Sequence, residues 1–191
     1  MIGTAEIPVT SYHKDEILDE KDLPKTSFAL SPCYRREAGS YGKDTHGLYR
    51  LHQFNKVEQV VVIPADVELS NERHQKILQN AMDVMDDFKL PYRLLQLCTG
   101  DLAQGKYDSH DIECRMPSRK SYGETHSATS FLDFQARRLN LRYRTKDGEV
   151  KYCYTLNNTV VATPRILIAI VENYQQKDGT IKIPEMLVSY M

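Results

Sequence analysis

Two stretches of this chain concentrate groups able to handle a charged ligand. Tyr34-Arg35-Arg36-Glu37-Ala38-Gly39 leads into a polar loop, and the chain then runs on to His52-Gln53-Phe54-Asn55-Lys56-Val57-Glu58. Arg35 carries a planar fork of donors that suits a carboxylate and a phosphate lying side by side. Glu37 and Glu58 are acceptors, and Phe54 offers an aromatic face. Such a set suits a ligand that combines an anionic phosphate, an adenine-like base and an ammonium group. Arg35, Glu37, Glu58 and Glu124 all lie in or beside strand-like runs. Charges on a sheet face are costly unless paired or solvated, so for each residue alone the bland reading is a solvated ion pair on an open face.

The elements that must position these groups read as α+β, an antiparallel sheet flanked by helices. Phe28 to Glu37 is expected as a strand, Ala38 to Gly47 as a loop and Leu48 to Ile63 as the return strand. The apolar end of that strand, Val57 and Val60 to Ile63, reads as buried. Ser70 to Leu90 is the clearest helix, with Ile77, Ala81, Val84, Met85 and Phe88 at helical spacing and Pro91 after its end. Short strands follow at Leu94–Cys98, Tyr107–Met116 and Glu124–Ser130. A hairpin is expected from Leu139–Arg144 and Glu149–Leu156 around Lys146-Asp147-Gly148. Thr163 to Tyr174 reads as an apolar helix with Pro164 in its first turn. His13, His74 and His110 read as surface residues, and His52 as a structural hydrogen-bonding residue.

At 191 residues, 41% of them apolar and 27% charged, the chain reads as one globular domain. A net charge of −1 gives no bulk attraction to nucleic acid. No run is long enough for a membrane helix, and the expected location is cytoplasmic. Cys33, Cys98, Cys114 and Cys153 are widely spaced, which reads as free thiols rather than a disulfide frame or zinc site.

In this order the strings resemble the seryl-tRNA synthetase family of class II aminoacyl-tRNA synthetases. They are Thr4-Ala5-Glu6, the Arg35 string with Asp44-Thr45-His46-Gly47-Leu48-Tyr49-Arg50, and the Phe54–Glu58 string. Tyr122-Gly123-Glu124-Thr125-His126-Ser127, Asp133-Phe134-Gln135-Ala136-Arg137-Arg138, Leu156-Asn157-Asn158-Thr159 and Ala162-Thr163-Pro164-Arg165 follow. The resemblance covers essentially the whole chain and implies the C-terminal catalytic part, spanning 1–191. The helical hairpin that grips tRNA and the first class II motif are not found in it.

The resemblance implies the following roles. Arg35, Glu124 and Arg165 are catalytic. Arg35, Arg36, Glu37, Arg50, Phe54, Glu124, Thr125, His126, Ser127 and Arg165 bind ATP, with Glu124 and Ser127 holding Mg2+ through it. Thr4, Ala5, Glu6, Arg35, Glu58, Asn157 and Thr159 bind serine, Glu58 and Thr159 facing its hydroxyl, and no zinc is needed. The implied activity is serine–tRNA ligation, on serine, ATP and tRNA(Ser), by a protein that is a homodimer at full length, with the chain alone poorly active. Alternatives are a synthetase paralogue that loads an amino acid onto a carrier protein, and a non-catalytic synthetase-like module.

Overall fold

The computed structural model describes residues 1–37 and 47–191. The motif residues 38, 39 and 44–46 therefore lie outside the described residues. The dominant element is an antiparallel sheet in the order β2-β3-β9-β6-β5-β4, built from β2 (Lys25–Tyr34), β3 (Gln53–Ile63), β4 (Tyr92–Gln96), β5 (Asp108–Met116), β6 (Ser121–Leu132) and β9 (Tyr154–Ala162). A small second sheet joins β1 (Ile17–Asp19), β7 (Arg142–Arg144) and β8 (Val150–Tyr152), with β1 and β7 parallel.

Two helices cover one face of the large sheet. Helix α2 (Val67–Asp87) begins three residues earlier than its apolar pattern suggests, because the Asp66 carboxylate caps it, accepting from the Leu69 amide at 3.0 Å. Its buried stripe, with that of α4 (Thr163–Tyr174), packs on Ile112, Cys114 and Ala128 of the sheet. Gln59 and Asn158, paired across β3 and β9, both donate to the Ile77 carbonyl, at 2.8 and 2.6 Å, which ties the sheet to α2.

The other face is only partly covered. Short helices α1 (Glu6–Thr10) and α3 (Phe134–Leu139) and the small sheet close its far end, around Leu18, Val62, Leu141, Tyr143 and Cys153. Both faces of β3 are thus buried at its C-terminal end, which accounts for an apolar run with no alternation.

Three expectations need correction. The stretch from Glu149 to Leu156 is two strands, β8 and β9, separated at Cys153, because each half joins a different sheet. Helix α3 is an element that the periodicity does not predict. His74 and His110 are not surface residues: the His74 side chain is 1% exposed and that of His110 11%.

Candidate active site

The open face holds a cleft lined in part by Arg35, Glu37, Tyr49, Arg50, Phe54, Lys56, Glu124, Thr125, Thr159 and Arg165. Antiparallel pairing of β2 with β3 carries Arg35 and Phe54 to one end. Just beyond β2, the Arg35 amide donates to the His52 carbonyl at 2.9 Å, and His52 Nδ1 lies 3.2 Å from the Arg35 carbonyl. His52 is therefore a brace between the strands. Arg35 Nε donates to the Gly3 carbonyl at 3.3 Å, and the guanidinium lies over the Phe54 ring, 5.3 Å from its centroid. Nearby, Arg50 Nη1 reaches Glu37 Oε2 at 3.4 Å.

A second cationic cluster stands across the cleft. Arg165, in the first turn of α4, donates from Nη1 to the Glu124 carbonyl at 2.9 Å and faces Glu124 Oε2 at 3.2 Å. Its guanidinium and that of Arg119 lie over the Tyr49 ring at 4.5 and 4.6 Å, and the Tyr49 hydroxyl donates to the Glu124 carbonyl at 2.8 Å. Tyr49 organises this end, although only its place in a motif string marked it.

The deepest group is one that side-chain type alone did not single out. Lys56 Nζ is 2.5 Å from Glu58 Oε2, and these side chains are 8% and 2% exposed. The same ammonium donates to Thr4 Oγ1 at 2.7 Å and reaches Thr159 Oγ1 at 3.4 Å, while Thr159 Oγ1 donates to Glu58 Oε2 at 3.1 Å. Glu58 is thus an ion-paired carboxylate, not a lone acceptor. Burial still outweighs Lys56 and holds its carboxyl above the ordinary value of 4.5. The pairing was legible: residues two apart on a strand share a face, and Lys56 and Glu58 are two apart. A second line of contacts joins Glu6 Oε1 to Gln135 Nε2 at 2.7 Å, and Gln135 Oε1 to Thr155 Oγ1 at 2.7 Å. Ala5 is buried, and Asn157, two residues before Thr159 on β9, has a buried amide nitrogen without a partner.

On β6, an irregularity in the pairing with β5 falls at Thr125. Glu124 and Ser127 then face Glu113 and Asp111 across the ladder. Burial raises the Asp111 carboxyl above its usual range, opposed by a hydrogen bond from Ser127. His126 is instead opposite Ile112, on the helix-covered face, and 1% exposed. Burial lowers its pKa to about 4, so it is a neutral structural group, and it lies outside the cleft lining. Arg36 is exposed and outside the cleft lining.

Five similarities to known proteins bear on this arrangement. Residues 1–174 match the family described as tRNA synthetase class II core domain (G, H, P, S and T). The whole chain aligns with the serine–tRNA ligase of Bdellovibrio bacteriovorus at 47% identity, covering 44% of that protein, and with that of Caldicellulosiruptor bescii at 50%, covering 45%. Among solved structures, it is similar over its full length to seryl-tRNA synthetase from Pyrococcus horikoshii complexed with ATP (TM-score 0.95, 46% identity, 42% of that chain). It is also similar to cytoplasmic serine–tRNA ligase from Naegleria fowleri in complex with AMP (TM-score 0.94, 36% identity, 45% of that chain). The chain spans less than half the length of these relatives. With this sheet, this cleft and that match over most of its residues, the chain belongs to the tRNA synthetase class II core domain family.

Proposed function

We propose that the chain is the catalytic part of a serine–tRNA ligase. The observation that carries this reading is the buried Lys56–Glu58–Thr159 cluster at the floor of a cleft whose rim carries Arg35 and Arg165. A small polar substrate with one hydroxyl and one ammonium group matches the floor, and a polyphosphate matches the rim.

In this reading the serine hydroxyl donates to Glu58, beside Thr159, and Thr4 and Glu6 receive the ammonium group. Arg35 holds the serine carboxylate against the α-phosphate of ATP, with Phe54 stacked on adenine and Glu37 accepting from its amino group. Arg165, with Arg50 as a second cation, neutralises the far phosphates. The carboxylate oxygen attacks the α-phosphorus, pyrophosphate leaves and seryl-adenylate forms. The terminal ribose hydroxyl of tRNA then attacks the seryl carbonyl and AMP leaves. No general base is needed for the first step, because the nucleophile is already ionised. Arg35 stabilises charge that builds on the phosphoryl oxygens.

Glu124, Ser127 and the Asp111 carboxylate, whose buried Oδ1 has no partner, form an oxygen-rich set that fits Mg2+. Bound there with ATP, the ion would neutralise phosphate charge. A homodimer is supported by exposed apolar residues on the edge strand β2, where Phe28 is 62% and Leu30 73% exposed. Among the described residues no helix is long and apolar enough to cross a membrane.

Serine-dependent ATP–pyrophosphate exchange by the protein that carries this chain is the test, followed by charging of tRNA(Ser). Exchange without tRNA charging, but with transfer to a carrier protein, would favour the paralogue. No exchange with any amino acid would leave a binding module and overturn the proposal. Light scattering of the same protein reads the dimer.

A further inference from the structure

We propose that His74, Asp108 and His110 form a binding site for one divalent transition-metal ion of the zinc class, clamping helix α2 to strand β5. None of the three lines the cleft, and nothing in the adenylation chemistry uses them.

The placement follows from the fold. Asp108 and His110 are two residues apart on β5 and so present side chains to the same face. His74 lies on the stripe of α2 that carries Ile77, Leu78 and Ala81, and this stripe packs on the sheet. His74 Nδ1 is 3.2 Å from Asp108 Oδ2, and His110 Nδ1 is 3.7 Å from the same oxygen. One ligand atom from each residue lies within 4.8 Å of the other two. A tetrahedral ion with bonds of about 2.1 Å holds its ligands roughly 3.4 Å apart. The two distances to Asp108 Oδ2 bracket that separation.

Without a metal the cluster is poorly satisfied. His74 is 1% exposed, and the buried His110 Nδ1, which faces Asp108, has no hydrogen-bond partner. The two rings meet edge to face with centroids 5.1 Å apart. Asp108 is oriented from outside, its Oδ1 accepting from Gln96 Nε2 at 3.4 Å. That contact acts on the carboxylate as outer partners do in metal sites.

Donor chemistry selects the ion. Two imidazoles and one carboxylate suit Zn2+, Co2+ or Ni2+, whereas Mg2+ and Ca2+ favour oxygen ligands throughout. Three protein ligands leave a fourth position for water. The site is distinct from the serine pocket, where no zinc is expected.

The probe is Co2+ alone, added to chelator-treated protein and read by its visible absorption, with Zn2+ as competitor and thermal unfolding as a second readout. We expect one Co2+ per chain, displaced by Zn2+, and a melting temperature raised by Zn2+. Loss of an outer partner alone costs ~10- to 100-fold in metal affinity. Asp108→Asn and His110→Ala, each removing a direct ligand, should therefore weaken binding at least that much and abolish the thermal shift. His13→Ala, at an exposed His–Glu pair, should change neither. His110→Gln, tested in parallel, guards against loss of folding, since its own melt without metal reports an intact fold. Absence of saturable Co2+ binding in the unaltered protein, or binding that survives in folded Asp108→Asn and His110→Gln variants, overturns the proposal.

Discussion

Replacing Glu58 by Gln separates what the floor of the cleft does for stability from what it does for specificity. The Lys56 and Glu58 side chains are 8% and 2% exposed, and their contact is 2.5 Å. Removing one partner of a buried ion pair leaves the other uncompensated and typically costs ~3–5 kcal/mol of stability. Lys56→Met alone should cost a similar amount, because it strands the carboxylate. The double variant Lys56→Met with Glu58→Gln removes both charges, and replacing a whole buried pair is often close to neutral. Stability should therefore fall in each single variant and largely recover in the double one.

Specificity should not recover. A hydrogen bond to a charged acceptor contributes ~1.5–3 kcal/mol, and serine has one to make where alanine has none. At 1.36 kcal/mol per tenfold, loss of the carboxylate lowers the serine-over-alanine ratio of kcat/KM by ~10- to 150-fold. The assay is ATP–pyrophosphate exchange with each amino acid, alongside urea unfolding. ATP KM should hold in all variants, since Arg35, Phe54 and Arg165 are untouched. If the double variant regained the full preference for serine, or if Glu58→Gln never lost it, the hydroxyl would be read elsewhere and the reasoning would be wrong.

Arg165→Ala removes the Glu124 contact and the stack on Tyr49; kcat/KM for ATP should drop ~10- to 150-fold on the scale of a charge-assisted hydrogen bond, and an unchanged value in exchange kinetics would place the far phosphates elsewhere. His126, with a folded pKa of about 4 against 6.5 when free, is neutral in the fold, and the unfolded chain takes up its proton first as pH falls. Stability should therefore be lost between pH 6.5 and 4, by ~3 kcal/mol in all at 1.36 kcal/mol per unit. The urea midpoint of His126→Gln should lose that part of the slope, leaving whatever His74, also lowered by burial, contributes. Gly105 has φ +90°, and a Cβ there would lie 2.3 Å from the Phe134 ring. Gly105→Ala should cost ~1–3 kcal/mol for the strained backbone, and serine KM should rise more than ATP KM, because Phe134 opens the helix whose Gln135 holds Glu6.

What the sequence made legible was decided by periodicity and by turn chemistry. The limits of α4 follow from Pro164 in its first turn and from an unbroken apolar stripe. The β2–β3 platform follows from two β-prone runs around a polar loop. Helix α3 was hidden because Phe134 to Leu139 is too short for one face to show a repeat, and because Asp133-Phe134-Gln135-Ala136-Arg137-Arg138 invited reading as a motif string. The break at Cys153 depends on which sheet each half joins, a long-range choice that no local window contains.

The residues misjudged at the sites share a cause. Its type points His74 to solvent, yet it precedes Ile77 by three and Leu78 by four, squarely on the buried stripe of α2. Lys56 was passed over for the same reason, although strand alternation puts it beside Glu58. In both cases the period was informative and the residue's polarity argued against it. Burying a His or a Lys costs free energy that apolar packing does not return, so such positions are maintained only where a partner compensates. For Lys56 the partner is Glu58 together with two threonine hydroxyls. For His74 the partner is Asp108, whose Oδ2 lies 3.2 Å from Nδ1. A polar residue that falls on an apolar stripe is thus a better guide to chemistry than its composition class.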